Sequence, residues 1–152
     1  ADRGNGRIRR ITYSGLVTTL AGSGPSRQCI DFICYRGSFA DGVGVNASFS
    51  NIFGLTVDKQ NNVYVADFGS HRIRKVTPDG VVTTVVLQEV SEIFDVALDD
   101  SGNIYVVGLF NTGIGKINPE NNKQNFDLTH PTAYHATISP YKSARNIVRS
   151  CL

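Results

Sequence analysis

Cations recur at fixed places in this chain. Arg72, Arg74 and Lys75 stand in one stretch, and Arg7, Arg9 and Arg10 stand in another of the same form. Aspartates recur with them: Asp58 as Asp99, and Asp67 as Asp2. A basic face of this kind could hold phosphate or an acidic partner. The alternative is a framework role, with long stems lying over apolar surface, heads in water, and Asp holding turns. Repetition at one phase favours the framework. A third copy of the stretch carries Gly113 and Gly115 where the arginines stand, so no continuous basic stripe is expected.

The remaining reactive residues are few. His130 and His135 straddle "PTAY" at a loose metal spacing with no Glu nearby, and His71 stands alone, so each reads as a surface or turn histidine. There is no nucleophile elbow, P-loop or dinucleotide fingerprint. No catalytic residue, metal ligand or cofactor is therefore expected. Cys29 and Cys34 frame "CIDFIC" in a Gly/Ser-rich loop. A Cys-x4-Cys pair without a second pair is a poor zinc site. A local disulfide is expected if the chain is secreted, and two free thiols if it is cytosolic. The pairing of Cys151 is left open. Asn46 opens the sequon "NAS" and is a candidate glycosylation site. Loop cysteines and a sequon together point to an extracellular location.

Composition bounds the class. The 152 residues are 41% apolar and 18% charged, which suits a globular chain with its own core. A net charge of +2 is too little on its own to imply nucleic acid or an anionic membrane as partner, and nucleic acid is not the expected one. No apolar run approaches the roughly 20 residues of a membrane span. Met is absent, so the numbered chain reads as a processed product or a fragment whose targeting segment has gone.

The elements that carry these residues are repeats. A shift of 65 lays Arg7-Ile8-Arg9-Arg10-Ile11 on Arg72-Ile73-Arg74-Lys75-Val76, and Val17-Thr18-Thr19 on Val82-Thr83-Thr84. A shift of 41 lays "NNVYVAD" on "GNIYVVG". Each full copy holds four short segments rich in Val, Ile, Thr and Tyr, separated by turn formers. In the central copy they are "GLTVD", "NVYVAD", "HRIRKVT" and "GVVTTVV". The unit is a four-stranded antiparallel meander, and such a unit repeated every ~40 residues is a β-propeller blade. The fold class is all-β.

The stretch "FGLTVDKQNNVYVADFGSHRIRKVTPDGVVTTV" resembles the NHL repeat, and "ADGVGVNASFSN" resembles that family's lead-in between blades. The resemblance covers residues 1–20 and 40–86 strongly and 92–119 less so. It implies a propeller, usually a closed ring of six blades. It divides the chain into a half-blade at 1–20, an inter-blade loop with the Cys insert at 21–50, a full blade at 51–86, a degenerate full blade at 92–128 and a second half-blade at 131–152. That is about three blades, too few to close a ring. Among enzymes with such propellers an amidating lyase uses metal-binding histidines, and no matching constellation is present here.

The two half-blades are complementary in phase. Bare strand edges recruit strands. Self-association is therefore expected through Arg7, Ile8 and Ile11 at one end and Asn146, Ile147 and Val148 at the other. Both apolar pairs, Ile8 with Ile11 and Ile147 with Val148, are expected to lie exposed in a monomer. A head-to-tail contact of this kind closes into a ring or runs on as a filament. The competing expectation is that the chain is part of a larger propeller. The insert places Ile30, Phe32, Ile33 and Tyr35 in an otherwise polar loop, as a contact surface or as local packing over the neighbouring blade. The leading function is a non-catalytic extracellular scaffold. The alternative is a module that recognises a protein, glycan or RNA across one propeller face, and the third reading is a propeller enzyme such as an amidating, metal-dependent lyase.

Overall fold

The computed structural model describes residues 1–24, 28–30, 33–35, 39–85, 91–110, 114–118 and 123–127. The strands in chain order are β1 (Ile8–Ile11), β2 (Val17–Ala21), β3 (Gln28–Ile30), β4 (Ile33–Tyr35), β5 (Gly42–Val43), β6 (Ile52–Val57), β7 (Val63–Asp67), β8 (Arg72–Val76), β9 (Val81–Val85), β10 (Ser91–Leu98), β11 (Ile104–Phe110), β12 (Ile114–Asn118) and β13 (Lys123–Asp127). All pairing among them is antiparallel. The full blade is β6-β7-β8-β9, the degenerate blade is β10-β11-β12-β13, and β1-β2 is a two-stranded half-blade.

Period-two alternation explains how the blades stack. Along β7 and β8, Tyr64, Ala66 and Ile73 join Ile93, Val96, Ile104, Val106 and Ile117 in a buried cluster shared with the degenerate blade. Val65 and Val76 join Ile8, Ala21, Ala47, Phe49, Ile52 and Val82 in a second cluster shared with the half-blade. Successive side chains of a strand point to opposite faces, so one sheet supplies both interfaces. Each fully buried Val or Ile contributes about 1.5–3 kcal/mol through removal from water.

The lead-in does more than connect. β5 pairs with the outer strand β9, with Gly42 opposite Val82 and Val43 opposite Val81, so the full blade's sheet has five strands. The insert, expected as a loop, contains the β3-β4 hairpin. Both departures have one cause. The segments are two or three residues long, too short to show a period.

The first strands of both blades are bulged at the same phase. Register shifts fall between Ile52 and Leu55 in β6, and between Ile93 and Asp95 in β10. A bulge re-aims the local side chains. Here Phe53 and Phe94 meet edge to face with centroids 5.3 Å apart, and both pack on Phe68.

Candidate functional site

The repeat permits a comparison of the full blade with the half-blade, position by position. Arg74 is the hub of the full blade. Alternation along β8 sends it towards the half-blade, where it is wholly buried. The expectation that these arginines keep their heads in water is therefore wrong for Arg74. Its Nη1 donates to the Ser48 carbonyl at 3.1 Å and lies 3.4 Å from Asp67 Oδ2. Its Nη2 donates to the Ala40 carbonyl at 2.8 Å and to Asp41 Oδ1 at 2.6 Å. A buried charge is tolerated only with such partners.

The two aspartates divide the work. Asp67, also wholly buried, accepts from the backbone N–H groups of Ser50 at 3.0 Å and Asn51 at 2.8 Å, and so holds the approach to β6. Asp41 accepts from Thr84 twice, from the hydroxyl at 2.8 Å and from the backbone N–H at 3.1 Å. Partial burial pulls the Asp41 carboxyl up, but the hydrogen bonds from Thr84 and Arg74 outweigh it and hold the group below its ordinary value. Since Thr84 N–H points outward to Asp41, the opposed pair Arg74 and Thr84 does not exchange ladder hydrogen bonds. Arg74 therefore turns its backbone groups towards β7.

The half-blade repeats the receiving parts of this hub. Arg9 is opposite Thr19 in the register that places Arg74 opposite Thr84. Asp2 pairs with Arg7 as Asp67 pairs with Arg72. The strands that would complete it are missing among the described residues, because β1 pairs only with β2. By the same register, Arg9 and Ile11 turn their backbone groups to the unpaired edge. Arg9 bonds directly to the Thr19 hydroxyl, and its Nε lies 3.8 Å from Asp2. The Arg9 side chain is 36% exposed. Ile11 is 69% exposed where Val76 is 0%, and Val17 is 49% exposed where Val82 is 1%.

Glycines at matched positions tell the same story. A Cβ on Gly69 would meet Ser50 Oγ at 2.3 Å, whereas a Cβ on Gly4 would meet nothing within 4 Å. A Cβ on Gly80 would meet the Leu20 carbonyl oxygen at 2.7 Å, whereas one on Gly15 would again meet nothing. Among the described residues nothing stands against Gly4 and Gly15 of the half-blade as Ser50 and Leu20 stand against Gly69 and Gly80. Tyr13 and Leu16 add exposed apolar surface beside them.

The remaining candidates fall out as follows. Ile8 is buried, not exposed, because it faces the interior shared with Phe49 and Ile52, so the apolar surface of β1 rests on Ile11. Arg7 is half-buried. Asn46 is exposed at the end of the 3₁₀ turn Gly44–Asn46. Cys29 is directly opposite Cys34 in the β3-β4 ladder, flanked by the pairs Ile30 with Ile33 and Gln28 with Tyr35. Phe32, His130, His135, Asn146, Ile147, Val148 and Cys151 lie outside the described residues. His71 takes a left-handed conformation with φ of 56° where the matched Gly6 has 55°. A Cβ on Gly6 would stand 2.6 Å from the Gly24 carbonyl oxygen, so only the half-blade demands glycine there. Among the described residues no three His, Cys, Asp or Glu side chains are grouped to hold a metal ion.

Sequence reasoning missed Asp41 and the pairing of Thr19 with Arg9. The signals were present, as the acid of the lead-in and as a threonine that recurs with its arginine. What a single repeat does not reveal is that the two meet across a whole blade.

The comparisons agree with the fold. Residues 49–76 match the NHL repeat. A catalytically inactive virginiamycin B lyase from Staphylococcus aureus, solved with quinupristin, superposes with a TM-score of 0.60 at 15% identity, over 88% of this chain and 38% of that one. A protein of unknown function from Bacteroides thetaiotaomicron gives 0.58 at 23% identity, over 76% and 30%. An auxiliary nutrient binding protein from Bacteroides ovatus gives 0.51 at 19% identity, over 68% and 30%. At these identities the likeness is one of fold. The chain spans about two fifths or less of those structures' lengths.

Proposed function

We propose, for a chain that carries an NHL repeat at residues 49–76 and is built of NHL-type propeller blades, a non-catalytic role as a self-associating scaffold. The half-blade β1-β2 takes up the first two strands of a blade and their lead-in from a second copy. Extended segments that add to a sheet edge gain main-chain hydrogen bonds, and pockets for alternate side chains give them specificity. The observation that carries this reading is the contrast between matched positions: Ile11, Val17 and Arg9 are open to solvent where Val76, Val82 and Arg74 are closed over. The donor in the second copy is the segment 131–152, whose Asn146-Ile147-Val148 resembles Asn103-Ile104-Tyr105 at the start of a second strand.

Deleting residues 131–152 tests the assignment of the donor. Light scattering should show that the full chain associates and the shortened chain does not, while the shortened chain still caps the full-length assembly. Unchanged association after the deletion would remove that segment as donor.

The proposed setting is extracellular. The exposed sequon asparagine Asn46 and the opposed Cys29 and Cys34 support it. Ligand recognition on one propeller face is the second reading. It draws on the ring cluster of Phe53, Phe68 and Phe94, with the Arg3 guanidinium 3.7 Å above the Phe53 ring.

A further inference from the structure

β9 is the outer strand of the full blade, and its composition makes that place a liability. Residues 81–87 read "VVTTVVL", with no charge and no proline. An uncharged run of β-formers at a sheet edge recruits other strands. The lead-in lies along it. The backbone groups of β9 that point away from β8 belong to residues 80, 82 and 84. Gly44 N–H donates to the Gly80 carbonyl at 2.9 Å, Gly42 stands opposite Val82, and Thr84 N–H donates to the Asp41 carboxylate at 3.1 Å. Residues 41–44 thus take all three places. They offer little to a further strand, because β5 is only Gly42–Val43 and the chain turns out of the sheet at Gly44, with φ of 57°.

One side chain fastens this strap. The Asp41 carboxylate takes the Arg74 guanidinium at 2.6 Å and the Thr84 hydroxyl at 2.8 Å. Arg74 is wholly buried, but the Asp41 side chain is 50% exposed, so solvent reaches the contact from the lead-in side. We infer that residues 41–44 keep β9 from pairing with β9 of a second copy, and that the Asp41 carboxylate is a clasp opened by protonation. Opening it leaves Arg74 its contacts with Asp67 and the Ser48 carbonyl, so the sheet beneath stays intact. Each copy bares the same edge, so the contact is two-fold and closes as a dimer.

The charged groups facing Asp41 are Arg74 on β8 and, behind that guanidinium, Asp67 on β7. Arg72 stands over the Phe39 ring two residues before Asp41, and β9 brings only the neutral Thr84. Partial burial raises the Asp41 carboxyl, but the hydrogen bonds from Thr84 and Arg74 outweigh it and hold the group below its ordinary value. The clasp is therefore whole above the ordinary carboxylate range and opens as pH falls below about 4.

The test uses the full chain carrying Ile11→Asp, which silences association through the half-blade. At neutral pH, adding Asp41→Ala should speed hydrogen exchange about tenfold or more in residues 40–44 and 80–85, and leave residues 63–76 protected. Sedimentation should show this variant as a dimer and its parent as a monomer. The parent should dimerise when the pH is taken below about 4. Thr83→Lys, a charge on an exposed position of β9, should return both to monomer. Unchanged exchange in residues 80–85 would overturn the strap. So would exchange that rises equally across residues 63–76, since Asp41 would then hold the whole blade and not its edge. Dimers that persist with Thr83→Lys would place the contact elsewhere and overturn the role of β9.

Discussion

Arg74 and Arg9 are the same residue of the same repeat in two conditions, one enclosed and one half in water. Enclosure makes Arg74 indispensable. Removing it would leave Asp67 buried without its cation, and breaking one side of such a pair costs about 3–5 kcal/mol. Arg9, at the surface, contributes no more than ~1 kcal/mol to the fold of the isolated chain. Urea unfolding should therefore show a large loss of stability for Arg74→Ala and little for Arg9→Ala. Equal losses would mean that the two sites are energetically alike and that the half-blade is already closed. The recurrence of these arginines was legible in the sequence. The burial of Arg74 was not, because its partners Asp41, Ser48 and Ala40 lie far along the chain.

At the scale of elements, the strands were legible where segments of five residues rich in Val, Ile, Thr and Tyr ran between turn formers, as in β7, β8 and β9. The short strands were not. β5 is a Gly-Val pair that owes its extended form to β9, and the β3-β4 hairpin is visible only through its pairing. That hairpin sharpens one expectation. Directly opposed residues of an antiparallel pair have Cα atoms about 4.5–5.5 Å apart, inside the range of about 4.4–6.8 Å that a disulfide spans. The ladder opposes Cys29 to Cys34. In material from an oxidising compartment the two should be joined. Intact mass with alkylation should then show no free thiol at either position until a reductant is added. Alkylation of both without reductant would contradict the disulfide and remove one support for an extracellular setting.

For the whole molecule, two buried clusters tie the half-blade, the full blade and the degenerate blade together through opposite faces of one sheet. Among the described residues β1 pairs with β2 alone, and Ile11 leaves its outer face exposed. The repeat phase was legible in the sequence, but not which residues of β1 face outward. Ile8 faces inward and Ile11 outward because the strand alternates and only one of its faces is covered. The central claim is that this open edge and face draw a second copy. Sedimentation velocity over a wide concentration range tests it most directly, with the full chain beside an Ile11→Asp variant. The account predicts concentration-dependent association of the full chain and a monomeric, folded variant. A full chain that sediments as a folded monomer at the highest concentration would contradict it.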